Sequence, residues 1–193
     1  MAIARARAHA PHADHDFSVN LARAQEGSPR ACQWLYESLA GRVAGYLRLH
    51  GAGEPDDMTN EVFIRVFDHL ARFEGGESDF RSWVFTIAHR MLIDEHRRES
   101  RRPQTLDLAP ALVEELRGGN AEHDALAQLE RDHVVEVLEE LNPDQRAVLM
   151  LRIIGDLTTE QVAATLGKSR GAVKALQRRG IAALGRRISE ESS

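Results

Sequence analysis

Apolar residues in the first half of the chain recur every three or four positions, the spacing that places side chains on one face of an α-helix. The rhythm begins near residue 18 and breaks at residues 27–29, where Ser28 is a good N-cap for a helix with proline in its first turn. A stretch of glycine and proline at residues 51–55 ends this unit. The pattern therefore predicts two helices between residues 18 and 50.

Two more helices are predicted before residue 100. One begins near Asp56, a favourable N-cap residue. Its apolar stripe consists of Met58, Val62, Val66 and Leu70, thickened by Phe63 and Phe67. The other helix follows a glycine-containing loop at residues 74–78, takes Asp79 as its cap and stops before Pro103. Trp83 falls on the apolar stripe of this helix, so we predict that it packs in the core.

The pattern changes after residue 100. Residues 101–132 contain prolines, a glycine pair and an excess of acids with little periodicity, which is typical of a linker. Helical spacing resumes at residue 133, with Asn142 as the cap of a helix that starts at a proline. The sequence therefore predicts an all-α protein, in which helical domains at residues 18–100 and 133–188 are joined by an acidic linker.

Residues 1–17 are predicted to form a disordered leader. They are rich in alanine, histidine and arginine, with a proline in the middle. Histidine recurs every third position, at His9, His12 and His15, which also suggests a metal-binding tail. Three histidines without a folded frame make a weak metal site, so we favour the leader.

Composition supports a helical protein and narrows the functional classes. Aromatic residues make up only 5% of the chain, whereas strands draw on aromatic and β-branched residues. The net charge of −5 argues against a protein that binds polyanions over its whole surface. The charge is uneven, however, because residues 161–189 hold seven Lys or Arg and no Asp or Glu. A compact basic patch on an acidic protein indicates a local contact with phosphate.

The same counts indicate a cytoplasmic protein. The single cysteine, Cys32, cannot form an internal disulfide, which fits a reducing compartment. No apolar run approaches the roughly 20 residues that a membrane-spanning helix needs, so no membrane insertion is predicted.

The end of the chain has the plan of a DNA-binding helix-turn-helix. A short helix capped at Thr158 or Thr159 is closed by Gly167, and Ser169 caps the last helix. In that helix Val173 and Leu176 fall on the inward stripe, which leaves a basic face outward. Lysine and arginine donate to guanine or phosphate, and glutamine pairs with adenine. The candidate DNA-binding residues are Ser169, Arg170, Lys174, Gln177, Arg178 and Arg179.

Two longer motifs give the chain a family resemblance. Residues 55–102 include Phe-Arg-Ser-Trp-Val-Phe-Thr-Ile-Ala-His-Arg and resemble the sigma-2 domain of extracytoplasmic-function (ECF) sigma factors, of the sigma-70 family. Residues 141–187 include Leu-Asn-Pro-Asp-Gln-Arg-Ala-Val-Leu and resemble the sigma-4 domain of the same family. The two motifs occur in the family's order and at its spacing.

The resemblance implies an alternative sigma factor that binds core RNA polymerase, at its β′ clamp helices and β flap, and directs promoter recognition and melting. It also implies a separate anti-sigma factor and assigns the last helix to the −35 element. The loop at residues 73–80 corresponds to the family's pocket for a flipped base. The implied core-polymerase contacts are Asn60, Glu61, Arg65 and Asp68. The implied −10 contacts are Phe80, Arg81, Thr86, His89, Arg90, Arg97 and Arg98.

Two other functional classes fit the sequence less well. A helix-turn-helix regulator that binds DNA without core polymerase would carry a ligand or receiver domain, but the first half shows no alternation of strands and helices. An enzyme would need a catalytic motif, and the sequence has no His-Glu-x-x-His, phosphate-binding glycine loop or Gly-x-Ser-x-Gly. We therefore predict no catalytic residue, cofactor or metal site.

Overall fold

The computed structural model describes residues 11–100, residue 138 and residues 141–191, and these are helical with short connections. The prediction of an all-α protein is confirmed. A single 3-10 turn, Leu70–Arg72, separates the third and fourth helices. The helices are α1 Pro11–Gln25, α2 Pro29–Leu49, α3 Pro55–His69, α4 Glu77–Glu99, α5 Pro143–Ile153, α6 Thr159–Leu166 and α7 Arg170–Glu191.

Helices α1–α4 form the N-terminal domain. Helix α2 lies at its centre and packs against α1, α3 and α4. The predicted stripe of α3 is largely confirmed, because Val62, Val66 and Leu70 are buried while Met58 is only half-buried. The largest fully buried side chains of this domain are Tyr46, Phe63, Phe80 and Phe85. Burial of aromatic rings on several helices fixes how the helices meet.

Helix α1 begins earlier than the sequence predicted. Residues 11–17 belong to it, so the predicted leader is wrong for this stretch, and residues 1–10 lie outside the described part of the chain. Phe17 is buried, and its ring centroid lies 5.5 Å from that of Phe80. This contact extends the stripe of Leu21 and Ala24 by another turn, which stabilises the longer helix.

Two predicted caps are displaced by a few residues. Helix α3 begins at Pro55 with Glu54 as its N-cap residue, so the predicted cap Asp56 lies inside the first turn. Helix α4 begins at Glu77, and Asp79 sits in its first turn, where its carboxylate accepts a hydrogen bond from the backbone N–H of Gly76 at 3.1 Å. Both acids still stabilise the N-terminus of their helix, through its dipole and free N–H groups.

Helices α5–α7 form the C-terminal domain, and its predicted caps are confirmed. The Asn142 side chain accepts from the N–H of Asp144 at 3.0 Å. Thr158 and Gln161 form a reciprocal capping box at the start of α6. Gly167 ends α6 with a positive φ of 62°. The predicted linker at 101–132 lies outside the described residues, as do all of residues 133–140 except 138, where helical spacing resumes in the sequence.

The two domains touch each other through α4 and α6. This contact brings the first helix of the helix-turn-helix against the long helix that the family resemblance assigns to the −10 element. None of the helices in the described residues is long and apolar enough to span a membrane.

Candidate nucleic-acid and protein interfaces

The outward face of α7 is basic and accessible. Val173 is fully buried and Leu176 nearly so, which fixes the orientation of the helix as the sequence predicted. Ser169 caps the helix by accepting a hydrogen bond from the N–H of Ala172 at 3.1 Å. Among the candidate DNA-binding residues, Gln177 is half-buried and the exposed ones are Ser169, Arg170, Lys174, Arg178 and Arg179. This surface can donate hydrogen bonds to phosphates and base edges.

One residue of this face has a local partner. Arg170 Nη1 lies 3.1 Å from Glu160 Oε1, a carboxylate in the first turn of α6. The hydrogen bond from the Glu160 backbone, followed by that from Arg170, lowers the pKa of this carboxyl group. The ion pair is exposed, so it orders Arg170 without removing it from the surface.

The aromatic residues around the loop between α3 and α4 form a stacked cluster. The rings of Phe73 and Trp83 are parallel within 17°, with centroids 5.0 Å apart. The side-chain amide of Gln25 donates to the carbonyls of Leu70 and Phe73 at 3.0 and 2.8 Å, which holds the turn before the loop. Trp83 is half-buried against the core, as its spacing predicted.

The family resemblance implies that Phe80 contacts DNA, but the structure buries its side chain. It is 1% exposed and packs against the rings of Phe17, Phe73 and Trp83. Its position at the first inward turn of α4 buries the ring, so it supports the loop and does not meet nucleic acid in this conformation.

The other −10 candidates divide into two groups. Arg90, Arg97 and Arg98 are exposed along the second half of α4. The other group lies nearer the start of α4 and faces the C-terminal domain instead. Its members are Arg81, Thr86 and His89. Arg81 is 8% exposed and its Nη1 donates to Asp156 Oδ2 at 2.8 Å. The Thr86 hydroxyl lies 2.8 Å from that of Thr165.

A cavity of about 260 Å³ lies between the domains beside His89. The His89 ring is hydrogen-bonded to the buried hydroxyl of Tyr46 at 2.8 Å. His50 lines the same cavity, and its Nδ1 meets the carbonyl of Tyr46 at 2.8 Å. Burial lowers the pKa of His50 to about 4, with positive charge on Arg146 adding to the effect, and burial also lowers the pKa of His89. Both rings are therefore neutral at physiological pH.

The four core-polymerase candidates share one exposed face of α3. Asn60, Glu61, Arg65 and Asp68 are all exposed. Ile64 lies among them and is 54% exposed, a large apolar residue that the sequence pattern did not single out. Arg65 pairs with Glu61 at 3.2 Å. An exposed isoleucine within a ring of charges offers a protein partner an apolar centre with a polar rim.

This face continues into a groove on α2. The Tyr36 hydroxyl donates to Asn60 Oδ1 at 2.9 Å and orients that amide. Small side chains of α2 leave a shallow cavity of about 230 Å³ between the two helices. Its lining residues are Tyr36, Ala40, Gly41, Ala44, Asp56, Thr59 and Asn60. Small residues recurring at helical spacing were the signal that could have predicted the groove.

No group of three or more potential metal ligands occurs within the described residues. The three histidines of the suggested metal-binding tail, His9, His12 and His15, belong to stretches whose placement or side chains are not described. Cys32 is a half-buried free thiol within 3.9 Å of the Ala24 carbonyl.

Comparison with protein families identifies both domains. Residues 35–102 match the family described as Sigma-70 region 2, and residues 137–185 match Sigma-70, region 4. The first match covers most of α2 and all of α3 and α4. The second covers α5, α6 and most of α7, so the three candidate surfaces, on α3, α4 and α7, fall inside the matched segments.

Named relatives agree with these matches. The ECF RNA polymerase sigma factor BldN of Streptomyces coelicolor is 29% identical over 187 residues, which are 94% of this chain and 70% of the relative. The ECF RNA polymerase sigma factor SigK of Mycobacterium ulcerans is 26% identical over 170 residues, covering 87% of this chain and 91% of the relative.

Solved structures share the fold. CnrH, solved in complex with the cytosolic domain of CnrY, superposes with a TM-score of 0.66 at 24% identity and covers 91% of this chain and 98% of that one. The sigma factor RpoE of Bartonella quintana, solved with the anti-sigma factor NepR, has a TM-score of 0.60 at 17% identity, covering 81% and 96%. The chain therefore belongs to the sigma-70 family and is an alternative sigma factor of the ECF group, which binds core RNA polymerase and promoter DNA to direct transcription initiation.

Proposed function

We propose that this sigma factor uses three separate surfaces, one for core polymerase and one for each of two promoter elements. The exposed face of α3 docks on the β′ clamp helices, α4 and its preceding loop hold the −10 element, and α7 enters the major groove of the −35 element. One observation carries the proposal: the chain has two different exposed faces in two different domains. Helix α3 presents an isoleucine surrounded by charged residues, and α7 presents a basic face.

The α3 surface has the composition expected for docking. Ile64 supplies apolar area at its centre, while Asn60 and Asp68 supply polar contacts around it. An apolar centre with a polar rim is the usual arrangement of a protein interface. The groove between α2 and α3 extends this surface, because its small residues let a partner helix approach closely.

The α7 surface supplies the duplex contact. Lys174 and Arg178 are one helical turn apart and both are exposed, so they can reach the same groove. Arg170 and the capped N-terminus of the helix add a site for backbone phosphate. The C-terminal domain is also the part that would meet the β flap.

The α4 surface supplies the single-strand contact. Arg90, Arg97 and Arg98 form its exposed basic part. A basic track beside an aromatic cluster is the arrangement that holds an unstacked strand, because arginine follows the phosphates and a ring or pocket receives a base. We place the base pocket at the loop around Phe73, with Phe80 as its buried support.

The protein has no catalytic role of its own in this proposal, since binding energy alone opens the promoter and the polymerase carries the chemistry. We place it in the cytoplasm, where core polymerase is found. We further propose a separate anti-sigma factor, which is supported by the solved structure of the sigma factor RpoE with the anti-sigma factor NepR.

Run-off transcription tests the proposed function. Bacterial core polymerase is incubated with fragmented genomic DNA, with and without this protein. We expect new transcripts that share two upstream sequence elements. If no new transcript appears while the folded protein still binds DNA by itself, the protein is a helix-turn-helix regulator that works without core polymerase.

A further inference from the structure

A pocket of about 390 Å³ lies where α1 meets the start of α2. Its lining residues are Asn20, Arg23, Ser28, Arg30, Ala31 and Trp34. All of them precede residue 35, at which the match to Sigma-70 region 2 begins. None of the three surfaces in the proposed function includes them. The volume is within the range of roughly 300–1,000 Å³ that is usual for small-molecule sites.

Trp34 presents an aromatic face that the core of the domain leaves uncovered. It is 37% exposed, whereas Ala31 and Leu35 on the inward side of α2 are buried. Trp83, the other tryptophan, stacks on Phe73, but Trp34 has no ring partner among the described residues. An exposed indole beside a pocket is suited to stack on a flat ring of a ligand, because the faces of both rings are accessible.

Two arginines beside Trp34 make the pocket positively charged. Arg23 lies in the last turn of α1 and Arg30 in the first turn of α2, and both are exposed. Neither arginine forms an ion pair with a residue whose side chain the structure describes. The lining of the pocket contains no acid, and neither does the first turn of α2. Within the described part of the chain this charge is unpaired, so an anionic ligand can neutralise it.

The charge at the start of α2 is unfavourable for the helix by itself. The N-terminus of a helix carries partial positive charge, and an acid or a capping side chain usually stabilises it. Helix α2 has Arg30 there instead, and the side chain of its N-cap residue, Ser28, makes no capping hydrogen bond. A phosphate bound beside Arg30 relieves the repulsion, since arginine donates paired hydrogen bonds to phosphate oxygens.

The pocket is continuous with the loop that the proposed function assigns to the −10 element. Gln25 lies two residues after Arg23, and its side-chain amide donates to the carbonyls of Leu70 and Phe73. The end of α1 therefore contacts the loop and lines the pocket within a single helical turn. A strand with one base in the loop can thus place a neighbouring nucleotide in the pocket.

We propose that this pocket binds a nucleotide, with its base stacked on Trp34 and its phosphate held by Arg23 and Arg30. Two sources share this chemistry, a free nucleotide and an unpaired nucleotide of promoter DNA beside the −10 loop. The second source rests on the proposed function, whereas the first does not. Duplex DNA does not fit the site because its bases already stack on each other, so the −35 contact on α7 is independent of the pocket.

Tryptophan fluorescence tests the free nucleotide. The chain has two tryptophans, so Trp83→Phe leaves Trp34 as the only one. This variant is titrated with ADP and with inorganic pyrophosphate, which has the phosphates but no base. We expect ADP to quench Trp34 and to bind about fivefold or more tighter than pyrophosphate, because only ADP can stack. Isothermal titration calorimetry of the wild type with the same two probes shows whether Trp83→Phe has altered the site.

Fluorescence anisotropy tests the strand. A labelled single strand of the −10 element, taken from a promoter found by run-off transcription, is compared with strands extended by three nucleotides at the 5′ or the 3′ end. We expect one of the two extensions to tighten binding about fivefold or more. In Arg23→Gln and Arg30→Gln this gain disappears, and the affinity for ADP falls about fivefold or more.

Arg42→Gln is the matched control. It changes another arginine of α2, 12 residues after Arg30 and about 18 Å along the helix, which does not line the pocket. Its affinities for ADP and for the extended strands match those of the wild type.

The outcomes separate the two sources from each other and from the function. ADP binding that both arginine variants lose identifies a free nucleotide, and a lost gain from one extension without ADP binding identifies the strand. Neither effect, or effects that persist in both arginine variants and in Trp34→Leu, overturns the pocket. Binding of the unextended −10 strand and run-off transcription by the wild type uphold the sigma-factor function even if the pocket fails, whereas their absence contradicts the function itself.

Discussion

At the scale of single residues, the spacing between α5 and α7 depends on one glycine. A Cβ added at Gly180 would lie 2.8 Å from Leu149 Cδ1 and 3.3 Å from its Cγ. Leu149 is itself 2% exposed, so it has little room to move away. The C-terminal domain therefore keeps α5 and α7 close by leaving out a side chain, at the cost of a glycine within a helix.

Gly180→Ala and Gly185→Ala form a matched pair of variants on the same helix. At Gly185 an added Cβ meets nothing within 4 Å, so alanine gains helix propensity of roughly 0.5–1 kcal/mol without a clash. At Gly180 the same gain is opposed by overpacking that costs about 1–3 kcal/mol. We expect Gly180→Ala to be at least about 1 kcal/mol less stable than Gly185→Ala in urea unfolding. Equal stability would contradict the close approach of α5 and α7.

Arg178 is the residue by which the DNA-binding face can be tested. Its guanidinium is exposed on the outward side of α7, so Arg178→Ala removes a donor without disturbing the core. We expect weaker binding to −35 duplex, by about 1–3 kcal/mol for a base contact, or a salt slope reduced by about 1 for a phosphate contact. Titrations at several salt concentrations measure both quantities. Arg30→Ala, an exposed arginine at the start of α2, is the control and leaves both values unchanged.

At the scale of the element, α3 has two faces with different roles. Val62 and Val66 are fully buried on one side, while Ile64 stays half exposed on the other. A helix that served only the core would place polar residues along its whole outer face. The exposed isoleucine is therefore the feature of α3 that its role in the domain core does not explain.

We expect Ile64→Ser and Asp68→Ala each to weaken binding to core polymerase, because one removes apolar area and the other an exposed charge from the proposed docking face. The loss for the isoleucine change is about 1–3 kcal/mol if it lies at the centre of the interface. Competition binding against a labelled sigma factor measures the change. Glu26→Ala, which changes an exposed acid in the turn between α1 and α2, is the control. Unchanged affinity in both variants of α3 would remove this face as the docking site.

At the scale of the whole molecule, half-buried histidines between the domains couple stability to pH. The folded-state pKa of His50 is about 4, against a usual value near 6.5, and burial is the main cause. The groups that face it are His89 and His96 on α4, Arg146 on α5, and the Tyr46 carbonyl, which accepts its hydrogen bond. Asp144, also on α5, acts in the opposite direction on His89.

The sign of the effect follows from linkage. Because the folded protein holds His50 neutral, this histidine's contribution to the free energy of unfolding is fully present above about pH 6.5. The contribution is lost as the pH falls toward 4. The loss amounts to on the order of 3 kcal/mol over that interval. Urea unfolding at pH 7, 6 and 5 measures it. In His50→Gln the decline is shallower, whereas His69→Gln, which changes an exposed histidine, keeps the wild-type slope.

The sequence by itself determined the class of fold and the plan of the C-terminal domain. The three-four rhythm and the caps at Asn142 and Gly167 are local signals, since each depends on neighbours within one helical turn. The inward position of Leu176 and the outward position of Arg178 followed from the same spacing. Local rules also predicted the exposed polar face of α3.

Tertiary structure decided where helices begin and which residues of α4 are buried. Phe17 could lengthen α1 only because Phe80 lies 5.5 Å away, and no rule of local spacing reports that contact. The same packing buried Phe80, which the resemblance alone had offered as a DNA contact. Arg81 was buried by Asp156, a residue 75 positions later. Spacing along a helix shows which side a residue faces, but only the packing of distant segments decides what covers that side.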